Sequence, residues 1–287
     1  MLDMPTEPSK TTTKQALGPG AFARTLDRLA HTSLLAAAVA GSLTTAAGLA
    51  FGLAPEPALL VLASAGTLVV YNIDRLRDID RDRTLAPRRS DFVMRNRRQV
   101  QAIVAGAGLI SVAAALMLPP RASAVCALVL GLGLLHRRLK QVRGIKTLYL
   151  TLSWLAVVVG LPVAVAVDNR PSAVELYWVG ATLGCAILAN MMASNLDRKR
   201  AVENPDHAAT RRRLGPAIAT AGLGIAFAIV APSNFQALGL IAGAEFVALC
   251  RFQTTERYVP VVVDGALFTG ALLAIAMLVI APNGVGG

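Results

Sequence analysis

The sequence predicts an all-α, polytopic membrane protein of nine transmembrane helices, and three observations carry that prediction. Of the 287 residues, 55% are hydrophobic and only 16% charged, whereas a soluble domain usually carries about 25% charged residues. The apolar residues come in long runs separated by short basic segments, as in a helical chain threaded through a bilayer. No β-barrel alternation over segments of about ten residues is visible. The basic residues, finally, gather on alternate connections between the runs.

Taken in order, the apolar runs are Leu29–Leu53, Ala58–Ile73, Gln99–Leu118, Ala122–Leu135, Thr147–Val167, Val174–Ser194, Leu214–Ala231, Phe235–Cys250 and Val259–Ala281. Pro55 and Pro57, Pro119 and Pro120, Pro171, and Pro232 mark turns between neighbours. About 20 residues cross the hydrocarbon core. The fourth and eighth runs are short, so hydropathy alone leaves the count at seven to nine.

Charge decides between them. If all nine runs cross, 26 of the 28 Lys and Arg fall on one side, and only Arg121 and Arg170 on the other. Dropping one span would invert everything after it and destroy the asymmetry. The expected protein therefore lies in the plasma (inner) membrane with its N-terminus cytoplasmic and its C-terminus outside. Residues 1–28 read as a disordered, basic cytoplasmic tail without the apolar stretch of a signal peptide. Residues 29–287 form the nine-helix domain. The net charge of +11 is accounted for by topology, so nucleic acid is not an expected partner. Cys126, Cys185 and Cys250 are widely spaced in or beside apolar runs and read as packing residues.

Chemistry is concentrated after the second run, in Tyr71-Asn-Ile-Asp-Arg-Leu-Arg-Asp-Ile-Asp-Arg-Asp-Arg-Thr84. Continued as a helix, this segment places Asp74, Asp78 and Asp82 at i, i+4 and i+8, a carboxylate stripe on one face. Like charges at that spacing repel by a few tenths of a kcal/mol per pair unless neutralised. The interleaved Arg75, Arg77 and Arg81 are one neutraliser and a divalent cation is the other. Mg²⁺ suits one or two carboxylates completed by water and substrate phosphates. Topology alone needs only Lys and Arg, so the acidic stripe asks for a further reason.

At this point the chain resembles the UbiA superfamily of intramembrane prenyltransferases. That family has nine helices and two Asp-rich motifs, after the second and sixth spans. The first motif has the form N-D-x-x-D-x-x-x-D followed by R-T. Asp74 and Asp78 match its last two acids, and Arg83-Thr84 the R-T step, whereas the leading pair falls on Val70 and Tyr71. Asn72 and Asp82 are neighbouring oxygen donors. The second motif, D-x-x-D-x-x-x-D, falls on the segment after span six. There Asp197 takes the middle position, while Ser194 and Ala201 stand where acids are expected. Asn190, Asn195, Glu203 and Asp206 lie close by in sequence. Arg138, Lys140 and Lys146, between spans four and five, are similar to the family's basic loop, whose cations face the diphosphate.

The resemblance implies Mg²⁺-dependent transfer of an isoprenoid from its diphosphate to a lipophilic acceptor, with metal on Asp74, Asp78, Asp82 and Asp197. Arg83, Arg138, Lys140 and Lys146 would meet the diphosphate. Within the spans, Glu245 and Asp264 are functional candidates because acids in a bilayer are costly. With Asn72 and Asn190 they are expected around a cavity, unless they pair with Arg251 or Arg257. His31 reads as an interfacial residue. The alternative is a catalytically degenerate relative that binds lipid or a partner. A CDP-alcohol phosphotransferase is set aside because its D-G-x-x-A-R segment is missing, and a transporter because no repeated halves with broken mid-membrane helices are visible.

Overall fold

The computed structural model describes residues 29–80, 86–139, 145–167, 169–196, 207–253 and 258–280, with Thr25, Arg83 and Thr255. Among these residues every regular element is helical. The helices are α1 (Leu34–Ala50), α2 (Pro57–Arg77), α3 (Pro87–Arg95), α4 (Arg97–Leu116) and α5 (Pro120–Leu139). They continue with α6 (Ile145–Val165), α7 (Ala173–Ser194), α8 (His207–Val230), α9 (Ser233–Cys250) and α10 (Tyr258–Ile280). Seven are long and apolar enough to cross a membrane, namely α2, α4 and α6 to α10. The apolar helices Leu34–Ala50 and Pro120–Gly133 are shorter. Leu116, Leu109, Ile229 and Ile280 are 82%, 74%, 69% and 69% exposed. Large apolar side chains bared on helix after helix suit a hydrocarbon surround, and the chain is an integral membrane protein.

Local sequence explains the helix starts. Pro57, Pro87 and Pro120 each open a helix at a position where the missing N–H costs nothing. Ser172 begins α7 with a capping box: its hydroxyl accepts from the Glu175 N–H at 3.3 Å, and Glu175 accepts from the Ser172 N–H at 2.7 Å.

Helix α1 runs through the middle, packed against α2, α6 and α10. Its sequence, LLAAAVAGSLTTAAGLA, is dominated by small residues, and most of it is buried. Without a hydrophobic driving force in lipid, close van der Waals approach through such residues holds helices together. Around it lie one cluster shared by α1, α6, α7, α9 and α10, a second joining α2, α4, α5 and α6, and a third joining α7 to α10.

The structure departs from the sequence expectation in two kinds of place. The first run was expected to be one helix from Leu29, but it is interrupted at Thr32–Ser33, where Ser33 takes a left-handed φ of 61°. Two helices also contain wide π turns, Ala156–Gly160 inside α6 and Tyr258–Val263 at the start of α10. Pro162 and Pro260 accompany them. A proline ring clashes with the carbonyl four residues back and offers no N–H, and a local widening accommodates it.

Candidate functional site

The polar residues of interest meet at one end of the bundle. That end holds the C-terminal ends of α2 and α7 and the N-terminal ends of α1, α6 and α10. Here Tyr71, Trp154, Asn190 and Asp264 line a small cavity of about 10 Å³, room for roughly one water. Its apolar walls are Ala36, Val39, Ile187, Met191 and Leu267. The Trp154 indole N–H donates to Tyr71 Oη at 3.2 Å, with the rings edge to face. The Asn190 amide donates to Asp264 Oδ1 at 3.0 Å, and the Ser194 hydroxyl reaches Asn190 Oδ1 at 3.5 Å. Five helices thus supply the cavity, and hydrogen bonds between helices orient each polar tip.

The wide turns lie beside it in sequence. Trp154 comes two residues before the π turn of α6, and Asp264 directly follows that of α10. Such turns often mark functional positions, because the added residue changes the direction in which neighbouring side chains point.

Along α2, Tyr71, Asp74 and Asp78 fall at i, i+3 and i+7, one helical stripe. Asp78 is the C-cap, and its N–H still bonds the Asp74 carbonyl at 2.9 Å, so the stripe keeps helical phase to its last member. Asp74 is exposed and Asp78 half-buried. The carboxylate stripe therefore climbs away from the cavity mouth toward the end of the bundle.

Two neighbours on α2 face elsewhere. Asn72 is completely buried, and its amide donates to the carbonyls of Thr32 and Leu68, both at 2.9 Å. Arg75 donates to the Ala30 carbonyl at 2.9 Å and to that of His31. The carbonyls of Ala30, His31 and Thr32 belong to the break before α1, so Asn72 and Arg75 tie α2 to that break. His31 also packs its ring on Phe92 of α3, with centroids 5.4 Å apart.

Of the four residues expected around a cavity, Asn190 and Asp264 line it, while Asn72 and Glu245 do not. Glu245 is sealed inside the bundle at 0% exposure. Neither of its oxygens has a hydrogen-bond partner among the described residues. Arg83 is exposed, with a guanidinium nitrogen 2.8 Å from Met94 Sδ. Lys146 is half-buried in the first turn of α6. Arg138 belongs to the last turn of α5 by its backbone alone. Asp82, Lys140 and Asp197 lie outside the described residues, as do Ala201, Glu203 and Asp206. Among the described residues no group of three or more His, Cys, Asp or Glu is gathered as a metal site. Asp74 and Asp78 remain a pair of oxygen donors of the kind Mg²⁺ uses with water and phosphate.

Sequence reasoning passed over Tyr71 and Trp154 as cavity residues. Tyr71 was visible only as a departure from an acidic motif. Trp154 stands 83 residues away in an apolar run, with nothing local to connect the two.

No family model matches the chain, and no curated protein matches it in sequence. Among solved structures it is similar to the apo structure of a UbiA homolog from Aeropyrum pernix K1, with a TM-score of 0.60 and 17% identity. The match covers 87% of this chain and 98% of that one. Over nearly its whole helical domain, then, the chain has the fold of a UbiA homolog, the fold that its own sequence resemblance implied.

Proposed function

We propose that the chain is a nine-span, UbiA-like membrane prenyltransferase that moves an isoprenoid from its diphosphate to a lipophilic acceptor with the help of Mg²⁺. The observation that carries this reading is the stripe on α2. Tyr71 forms part of an apolar cavity, and Asp74 and Asp78 follow on the same face, one and two turns further out. An apolar tail and a charged head would find matching surroundings along that one line. The membrane count of nine takes α1 and α5 as crossings, with the basic connections in the cytoplasm and the C-terminus outside.

Asp74 and Asp78 would hold the metal, helped by Asp82 and by Asp197 of the second segment. When bound, Mg²⁺ supplies charge stabilisation to the departing diphosphate. Arg83, Arg138, Lys140 and Lys146 would bind the same diphosphate oxygens, an attraction that strengthens where water is excluded. The cavity, with room here for about one water, would have to widen to admit substrate, and Ala36, Val39, Ile187 and Leu267 would then face the prenyl chain and keep water from the allylic cation. Asn190, Asp264 and Tyr71 would orient the acceptor.

The experiment is Mg²⁺-dependent diphosphate release from a series of prenyl diphosphates in membranes containing the full chain. Wild type should release diphosphate, and D78N should lose at least about a hundredfold at unchanged abundance. Equal activity in D78N removes the metal assignment. A wild type inert toward every chain length replaces this reading with that of a non-catalytic lipid- or partner-binding protein.

A further inference from the structure

Helix α4 joins the bundle by a narrow seam. Its buried residues are Val100, Ala107 and Ala114, spaced by sevens, and it packs chiefly on α2. The opposite face is bare from end to end. Arg98, Ala102, Ala105, Leu109, Val112 and Leu116 are all exposed and follow one another at steps of four and three, a single helical stripe. From first to last it rises about 27 Å, close to the thickness of a hydrocarbon core, about 30 Å.

An arginine heads this stripe, and two more stand beside it. Arg95 ends α3, Asn96 is the single residue between the helices, and Arg97 and Arg98 open α4. All three arginines are exposed. The first turn of α4 holds no acid. Asp91 lies 3.9 Å from Arg95 with both side chains exposed, a pairing of little strength, and the next acid along the chain is Asp168. Orienting the span requires only the charges. A bare apolar track of bilayer length directly beneath them is a separate property.

We propose that this face of α4 is a binding site for an anionic phospholipid. The lipid phosphate meets Arg95, Arg97 and Arg98, whose guanidinium forks suit phosphate oxygens, and an acyl chain lies along the stripe from Ala102 to Leu116. Clustered basic residues beside a span attract anionic headgroups in this way. The site is distinct from the cavity, to which α4 contributes no residue. A second copy of the chain fits the face poorly. Two copies in one membrane share their depth, so a two-fold contact through the stripe sets Arg98 against Arg98. Helix α4 carries no acid to answer it, and like charges so placed repel.

The test uses the full chain in nanodiscs of equal parts phosphatidylcholine and phosphatidylglycerol. A phosphatidylglycerol with a photoreactive group on its acyl chain should label the peptide spanning residues 97–116 of wild type, above the labelling given by the matching phosphatidylcholine. Equal labelling by the two lipids, or labelling only elsewhere, overturns the site without recourse to any variant. In native mass spectra wild type should retain phosphatidylglycerol preferentially, and R97Q and R98Q should each lower that preference about fivefold. R251Q, at an exposed arginine of α9, should leave it unchanged. An equal loss in R251Q shows a diffuse effect of net charge and overturns the site. Displacement of the lipid by millimolar inorganic phosphate assigns the arginines to a soluble anion and overturns the lipid. A wild-type dimer without retained lipid gives the stripe to a second copy and overturns the proposal likewise.

Discussion

The Asn190 amide and the Asp264 carboxylate meet at 3.0 Å across α7 and α10, and this bond fixes the one acidic side chain that lines the cavity among the described residues. Hydrogen bonds between transmembrane helices are individually modest, about 0.6 kcal/mol on average and up to about 1.7. N190A should therefore lower thermal stability in detergent only slightly. N190D, which sets a second carboxylate against Asp264, should cost clearly more. Melting of the two purified variants, side by side, checks the order.

Asn72 and Arg75 secure the broken start of α1. N72A should destabilise by about 1–3 kcal/mol, because it strands a buried carbonyl. R75K should also be damaging, since one guanidinium nitrogen, Arg75 Nη1, serves both the Ala30 and the His31 carbonyls from the end of a side chain one bond longer than lysine's. Hydrogen exchange should accelerate at residues 30–33 in both variants before it does so in α7. Unchanged protection at those residues would show that the break is held by something else.

Two glycines of α10 should respond oppositely to the same change. A Cβ at Gly270 would collide with the backbone of α9, 2.7 Å from Ile241 Cα and 2.8 Å from the Leu240 carbonyl oxygen, while at Gly265 it would meet nothing within 4 Å. G270A should cost about 1–3 kcal/mol through forced separation of the helices. G265A should be neutral, or stabilising by about 0.4–1 kcal/mol. Yield and melting temperature of the two variants provide the comparison.

The one-sided distribution of Lys and Arg makes a topological prediction. Single cysteines introduced in the Arg88–Asp91 segment and at Asn169 should react with a membrane-impermeant reagent from opposite sides of the bilayer. Reaction of both from the same side would break the nine-span arrangement.

The all-helical, membrane-spanning architecture was legible in the sequence, because apolar run length follows directly from the physics of the bilayer. Asp264 stood out as an acid inside a span and Asn190 as an oxygen donor beside the second Asp-rich motif, and both line the cavity. The break at Thr32–Ser33 was not. The stretch around it, Leu29–Ala40, holds no Gly or Pro, and its stabilisers, Asn72 and Arg75, lie 40 to 45 residues away. Arg75 in particular read as a neutraliser for the neighbouring acids, whereas its guanidinium also reaches back to Ala30 and His31, ahead of α1. Glu245 was expected either at a cavity or paired with an arginine. Its isolation depends on how tightly α9 packs, and spacing along the chain carries no record of that. The wide turns had only Pro162 and Pro260 as signals, and a proline announces a disturbance without saying which kind.

Each wide turn closes its hydrogen bonds one residue later than an α-helix does, which is the footprint of a single-residue insertion absorbed in place. Within an α-helix such an insertion would rotate everything beyond it by about 100°, carrying lipid-facing residues into the bundle. Ala156–Gly160 localises that rotation instead. It is accordingly one of the few stretches inside a span where the length of the chain itself can be edited. Removing one of Val157, Val158 or Val159 would narrow the turn, restore the clash of Pro162 with the carbonyl four residues back, and swing Trp154 and Lys146 together relative to Pro162. Length, as well as residue identity, is therefore a variable through which the shape of this cavity can change.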